Sequence, residues 1–108
     1  MVVREARKFL SKRASHGRAP AVRYRMADAL YELGQAEAAL KEYRMLDALV
    51  GFDQAVEVAF RVGQCSLDLG KNKQAIEALN KVRTSEASYL KVPATYMLGE
   101  ALFRDGRF

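Results

Sequence analysis

The side chains that could act as a nucleophile or a general base are few and far apart. The 108 residues contain one histidine, His16, and one cysteine, Cys65. Nucleophilic catalysis needs such groups within hydrogen-bond distance of each other. His16 lies in the Gly- and Pro-containing segment SHGRAP, which predicts a solvated loop, and Cys65 lies on the apolar side of a predicted helix, where a free thiol is normally a small buried apolar group. The sequence therefore predicts no catalytic centre.

Cofactor and metal sites are also not indicated. No set of residues has the spacing of a zinc site, and no glycine loop carries the lysine and hydroxyl that hold a nucleotide's phosphates. A single cysteine cannot form an internal disulfide, and the first ten residues are too highly charged for a signal peptide. We expect no enzyme activity, no cofactor, no metal, and a cytoplasmic or nuclear location.

Positive charge is concentrated at the N-terminus. The net charge is +5, and residues 1–25 hold eight basic side chains against the single acidic Glu5. These cations could bind the phosphates of nucleic acid or anionic lipid through counterion release. They lack an aromatic stacking pattern, however, and Arg4, Arg7 and Lys8 fit the solvated side of an amphipathic helix. We favour the solvated helix and keep phosphate binding as the alternative.

The elements that position all these groups follow from a repeat. Glycines recur every 36 residues, at Gly34, Gly70 and Gly106, and a fixed period in this range is typical of stacked helical hairpins. Other positions recur with the glycines, at ten, seven and three residues before each one. They are Tyr24, Phe60 and Tyr96, then Ala27, Gly63 and Gly99, then Tyr31, Leu67 and Phe103.

Apolar residues with helical spacing predict a first helix before each glycine and a second helix after the first two. The first series are Val22, Met26, Ala29 and Leu33, then Val58, Val62, Cys65 and Leu69, then Ala94, Leu98 and Ala101; the second are Ala39, Leu40, Tyr43 and Leu46, then Ala75, Ile76, Leu79 and Val82. Pro20 and Pro93 are expected in first turns, and Gly34 and Gly70 in left-handed turns between paired helices.

Small residues within the first helices indicate close helix contacts. A mid-helix glycine costs about 1 kcal/mol relative to alanine, so packing must compensate at Gly63 and Gly99. We expect the paired helix to approach there, with Ala39 and Ala75 as the small residues opposite. Enlarging Gly63 should then overpack the contact.

The combined pattern resembles the tetratricopeptide repeat family over residues 20–108: a small residue, a seven-residue step to glycine, alanine five residues later, and bulky apolar residues nine and twelve residues after the glycine. The resemblance implies an all-α, right-handed superhelical α-solenoid of antiparallel helix hairpins. The period of 36 exceeds the family's usual 34, and the proline expected after the second helix is missing. We expect the extra residues in the second helix or the inter-repeat loop, near VGFDQ and SEASYL.

The period divides the chain into four segments. Residues 20–55 and 56–91 are predicted to be two repeats, and residues 92–108 the first helix of an incomplete third repeat. Residues 1–19 are predicted to be a leading basic helix and loop, matching the second helix of a preceding repeat. We expect a fragment of a longer array, or self-association through the incomplete third repeat.

By resemblance, the chain is expected to be a protein-interaction scaffold whose first helices line a concave groove. The predicted partner-binding residues are Tyr24, Asp28, Tyr31, Glu32, Phe60, Gln64, Leu67, Asp68, Tyr96, Glu100, Phe103 and Arg104. The acidic side chains among them favour an apolar or basic protein or peptide over an acidic one. Two alternatives remain open: the aromatic residues pack between repeats, or the chain is a docking arm of a larger enzyme.

Overall fold

The computed structural model describes residues 2–13, 17–49, 51–86 and 88–106, and every regular element within these ranges is a helix. His16 lies outside the described residues. The helices are α1 (Val2–Arg13), α2 (Ala19–Glu32), α3 (Ala36–Asp47), α4 (Ala55–Asp68), α5 (Asn72–Arg83) and α6 (Ser88–Arg104). None of these helices is both long enough and apolar enough to cross a membrane.

The helices form an elongated stack that measures 47 × 28 × 19 Å. Each helix packs mainly on the helices before and after it in the sequence, and α4 also contacts α6. Contact between sequence neighbours is the arrangement of a repeat solenoid. The predicted all-α solenoid is therefore confirmed, whereas the exact boundaries of the repeats remain predictions.

Left-handed glycines end the first helices, as predicted. Gly34 and Gly70 have φ values of 81° and 74°. At the end of α2, the Gly34 N–H donates to the Tyr31 carbonyl at 3.0 Å, and the Gln35 N–H donates to the Leu30 carbonyl at 2.9 Å. These two bonds form a Schellman motif, which satisfies carbonyls that the helix leaves without partners. The same pair of bonds follows α4, so each first helix ends at the same point of its unit.

The predicted apolar faces of α3 and α5 form the centre of the core. All eight of their predicted core residues are buried: Ala39, Leu40, Tyr43 and Leu46 on α3, and Ala75, Ile76, Leu79 and Val82 on α5. The four residues of α3 belong to a first core cluster, which contains residues of α1, α2, α3, α4 and α5. The four residues of α5 belong to a second core cluster, which contains residues of α4, α5 and α6. Leu33 departs from the prediction because it lies at the end of α2 and is 66% exposed.

The prolines of α2 and α6 occupy different positions within their helices. Pro20 lies in the first turn of α2, as predicted, where its missing N–H costs little. The prediction for Pro93 is wrong, because α6 begins at Ser88 and Pro93 lies inside it. Tertiary contacts explain the additional turn: the Tyr89 hydroxyl donates to Glu57, and Leu90 packs against the second core cluster. Residues 88–90 of SEASYL thus lengthen the first helix α6, so the expectation that they extend a second helix or the inter-repeat loop is wrong for them. Residues 51–54 of VGFDQ lie between α3 and α4, as expected.

The close approach expected at Gly63 is present, but with a different partner. A Cβ added to Gly63 would lie 2.6 Å from both Cγ and Cδ2 of Leu79, so leucine occupies the space that the glycine leaves. The atoms closest to Gly63 therefore belong to Leu79, and not to Ala75 or Ala39, the small residues expected opposite it. Gly99 also departs from the prediction, because a Cβ there would meet no other heavy atom within 4 Å. No described helix follows α6 to provide that contact.

Helix α1 packs on α2 through one face. Ala6 and Leu10 are buried, and Val3 and Phe9 pack partly buried against the first core cluster. The opposite face carries the cations predicted to be solvated, and Arg4, Arg7, Lys8, Lys12 and Arg13 are exposed. The α1 segment therefore has the amphipathic character that its sequence predicts.

Candidate functional site

The predicted partner-binding residues lie on α2, α4 and α6, and we call this surface the first-helix face. Side chains connect the helices across it. The Tyr31 hydroxyl on α2 donates to Asp68 Oδ2 on α4 at 2.8 Å, and Arg61 Nε on α4 lies 3.7 Å from Asp28 Oδ1 on α2. Arg104 on α6 donates from Nη1 to the Leu67 carbonyl of α4 at 3.2 Å. Polar contacts thus join each first helix to the next.

Arg61 is the centre of the polar contacts between α2 and α4. Besides its contact with Asp28, it donates to Gln64 Oε1 at 2.8 Å, and its guanidinium carbon lies 5.9 Å from the centre of the Tyr31 ring. Tyr43 of α3 donates its hydroxyl hydrogen bond to the same Asp28. Sequence reasoning missed Arg61 as a member of this surface. The available signal was its position one helical turn before Gln64, the counterpart of Asp28 in the 36-residue period.

Burial raises the pKa values of Tyr24, Tyr31 and Cys65 near this face. Desolvation raises the pKa of Tyr31 to about 12, and its hydrogen bond to Asp68 adds to the effect. Desolvation is also the main cause that raises the pKa of Cys65 to about 12, followed by the negative charge of Asp68. The pKa of Tyr24 is raised by desolvation and then by Asp28. At neutral pH these residues are therefore hydrogen-bond donors or apolar contacts, not nucleophiles.

Two of the three predicted aromatic positions ten residues before the glycines are used in packing. The Tyr24 ring makes edge-to-face contacts with Tyr43 and Phe52, each with centres 6.1 Å apart. Phe60 packs partly buried against the second core cluster, to which the buried Leu67 also belongs. Tyr24 and Phe60 therefore offer only part of their ring surface to a partner.

On α6 the side chains at the matching positions are exposed to solvent. Tyr96 is 79% exposed and Phe103 is 65% exposed, although both occupy the offsets that are packed on α4. They are seven residues apart and so lie on the same side of the helix. The largest exposed aromatic surface among the described residues is therefore at the α6 end of the first-helix face.

The acidic groups on this face are partly neutralised. Asp28 is paired with Arg61, and Glu100 is paired with Arg104 within α6. Asp68 is exposed and accepts the Tyr31 hydrogen bond, and Glu32 is exposed at the end of α2. The negative potential is therefore weaker than four free carboxylates would produce, and it is concentrated at Glu32 and Asp68.

The described residues contain no group of three or more His, Cys, Asp or Glu side chains that could hold a metal ion. The polar groups of the first-helix face instead bind one another. This arrangement can position a surface for recognition.

Comparison with known families agrees with this geometry. One model of the tetratricopeptide repeat matches residues 21–48, and a second matches residues 56–89. Neither a curated protein sequence nor a solved structure gives a significant match. The two matched ranges together cover more than half of the chain and fall on the two hairpins, α2 with α3 and α4 with α5. The chain belongs to the tetratricopeptide repeat family.

Proposed function

We propose that this chain is a protein-interaction scaffold that holds a partner segment along the first-helix face. Repeats of this family generally mediate protein–protein interaction. The observation that carries the proposal is the exposure of Tyr96 and Phe103 on one side of α6, next to the polar contacts that join α6 to α4. Aromatic residues supply a large share of binding energy in protein interfaces, and exposed apolar clusters commonly mark binding surfaces.

The partner segment is proposed to be apolar with basic flanks. The two rings of α6 provide apolar anchors, and Glu32 and Asp68 favour a cation further along the face. Contacts between Arg61 and Asp28, and between Tyr31 and Asp68, hold the helices before a partner arrives. Such preorganisation lowers the conformational cost of binding.

The proposal is tested by affinity capture from an extract of the source cells, mass spectrometry, and titration of the captured partner. Tyr96→Ala is expected to weaken binding at least tenfold, because an exposed anchor is removed without disturbing the core. Glu32→Lys is expected to weaken a basic partner by a smaller factor. The matched control is Leu33→Ala, which removes an apolar side chain of similar exposure outside the proposed anchor. Equal affinities for the Tyr96→Ala and Leu33→Ala variants would contradict the proposal.

A second candidate function uses the cations of α1. Arg4, Arg7, Lys8 and Lys12 are exposed on one helix, which favours contact with phosphates of nucleic acid or anionic lipid. Arg23 does not contribute, because its guanidinium pairs with Glu42 of α3 and both side chains are largely buried. The double variant Arg7→Gln and Lys8→Gln should reduce both binding to single-stranded oligonucleotides or anionic vesicles and its salt dependence. Binding that does not change with salt would exclude this candidate.

A further inference from the structure

An open depression of about 530 Å³ lies where α3 of the first hairpin meets the turn between α4 and α5 of the second hairpin. Three of its six lining side chains are cations and one is an acid, so we call it the basic depression. It lies in the middle of the chain, where α3, α4 and α5 are all described. The lining residues are Glu37, Ala38, Leu40, Lys41 and Arg44 of α3, and Lys71 of the turn.

The floor of the basic depression is apolar, and its rim is charged. Leu40 is only 3% exposed and Ala38 is half-buried, and both pack in the first core cluster. Lys41, Arg44 and Lys71 are exposed and form the cationic part of the rim. A ligand that fits this surface therefore needs an apolar group for the floor and negative charge for the rim.

The three cations of the rim have no acidic partner among the described residues. Arg44 donates from Nη2 to the neutral amide oxygen Oε1 of Gln74 at 2.5 Å, which orients the guanidinium without neutralising it. Lys41 and Lys71 form no ion pair within the part of the chain that the structure describes. The positive charge of the rim is therefore available to an anionic ligand.

Acidic groups nearby cancel only part of this charge. Glu37 lines the basic depression, whereas Asp47 is occupied by Lys81, whose Nζ lies 3.6 Å from Asp47 Oδ2. A neighbouring depression shares one cation of the rim and adds Lys73 and Asp105. The two depressions together are lined by four basic and two acidic side chains, so the surface keeps an excess of positive charge.

The positive charge is particular to this unit of the repeat. The 36-residue period aligns Lys41 of α3 with Glu5 of α1 and Glu77 of α5. An acidic residue therefore occupies this position in the two corresponding helices, and the packing of the hairpins does not require a cation there. Recognition of a ligand gives a reason for the reversed charge that the fold does not give.

We propose that the basic depression binds an acidic peptide segment of a partner protein, with one apolar side chain between its carboxylates. The apolar side chain, about the size of leucine, lies on the apolar floor, and carboxylates on either side pair with the three cations of the rim. Charge-assisted hydrogen bonds of this kind are stronger than those between neutral groups. The site is separate from the first-helix face, where Glu32 and Asp68 favour basic groups, and it does not depend on the proposed function.

Nucleic acid and anionic lipid are less suitable ligands for the same cations. None of the six lining residues is aromatic, so the basic depression provides no ring on which a base would stack. Glu37 would repel a closely spaced row of phosphates. A flat membrane surface would not reach the floor formed by the buried Leu40. A peptide can instead place separate carboxylates on the rim and an apolar side chain on the floor.

The test uses a defined pentapeptide, capped at both ends, with leucine at its centre and two glutamates on each side. It is titrated into the ¹⁵N-labelled intact chain at low ionic strength. We expect saturable binding with a dissociation constant on the order of 0.5 mM, because each exposed charge pair contributes little. Chemical-shift changes should concentrate on amides of residues 37–44 and 70–74, and binding should weaken as salt screens the charges.

Altered peptides and variants separate charge from apolar contact. Glutamine in place of the glutamates should abolish binding, and glycine in place of the leucine should weaken it at least threefold. Lys41→Glu should weaken binding at least tenfold, and Lys41→Gln by a smaller factor. Both variants should fold, because the period places glutamate at the same position in α1 and α5. The matched control is Arg25→Glu, which reverses the charge of an exposed cation on α2 and should leave binding nearly unchanged.

Several results would overturn this proposal. They are no saturable binding up to about 10 mM peptide, equal binding of the glutamate and glutamine peptides, or equal losses in Lys41→Glu and Arg25→Glu. Shifts of the same amides by a single-stranded oligonucleotide at lower concentration than the peptide would assign the basic depression to nucleic acid. A peptide with lysines in place of the glutamates provides the last comparison. If it binds the first-helix face while the glutamate peptide binds nowhere, the proposed function stands and this site fails.

Discussion

Gly63 and Gly99 occupy the same position in successive units, but their surroundings predict opposite effects of the same substitution. At Gly63 a new Cβ would collide with buried Leu79, whereas at Gly99 it would meet open space. Gly63→Ala should lower the free energy of unfolding by about 1–3 kcal/mol through overpacking. Gly99→Ala should raise it by about 0.5–1 kcal/mol through helix propensity. Urea denaturation of the two variants measures both changes, and a loss of stability in both would contradict the open space assigned to Gly99.

Buried protonated groups predict sensitivity to alkaline pH. The pKa of Cys65 rises from 9.0 to about 12 and that of Tyr31 rises from 10.0 to about 12, each mainly through desolvation. Above pH 9 the unfolded chain therefore releases protons that the folded chain retains. Stability from these two groups should be constant below pH 9 and decrease as the pH rises from 9 towards 12.

Denaturation at a series of pH values measures this dependence, and the Cys65→Ala variant separates the thiol from the phenols. The variant should lose the part of the decrease that begins near pH 9 and keep the part that begins near pH 10. Stability that stays level up to pH 11 would show that these groups ionise as readily in the folded chain as in the unfolded chain.

At the scale of elements, Pro93 lowers the stability of the first turn of α6. Proline has no N–H, so it cannot donate to the carbonyl of Tyr89 four residues earlier, yet the helix extends back to Ser88. Pro93→Ala should raise the free energy of unfolding by about 1–2 kcal/mol, because the added hydrogen bond exceeds the entropy that proline removes from the unfolded chain. Thermal denaturation checks the change. A loss of stability would indicate that the ring of Pro93 makes packing contacts worth more than the bond.

The same helix shows why element boundaries were only partly predictable from the sequence. Gly34 and Gly70 require a conformation that few other residues adopt, so their positions alone were enough to predict the ends of α2 and α4. Pro93 indicated a helix start, but the contacts of Tyr89 and Leu90 with distant residues extend the helix beyond it. Those contacts depend on tertiary packing, which local sequence patterns do not contain.

For the candidate site, the period predicted which residues share a face but not how exposed each one is. Tyr24, Phe60 and Tyr96 are equivalent in sequence, yet only Tyr96 lacks substantial cover, because exposure depends on the helices that follow. Arg61 was missed although Arg25 occupies the same position one period earlier, because the repeat does not show that its side chain contacts Asp28 of the preceding unit. Repeated residues therefore predicted the scaffold, and the contacts between units had to be observed.

At the scale of the whole molecule, each helix is stabilised mainly by its neighbours in sequence. Amide hydrogen exchange should therefore be slowest in α4 and α5, which both belong to the two core clusters, and faster in α1 and α6. Mass-spectrometric detection of exchange in the intact chain measures these differences. Equal protection of all six helices would indicate that the chain opens only as one cooperative unit.

Contact between neighbours also determines how binding at one helix affects the others. In a linear array, cooperativity passes from each unit to the next, so a ligand that orders α6 would suppress fraying first there and then, with diminishing effect, towards α1. Binding at α6 would therefore reduce the local flexibility of the stack by an amount that decreases with distance from α6 along its 47 Å length.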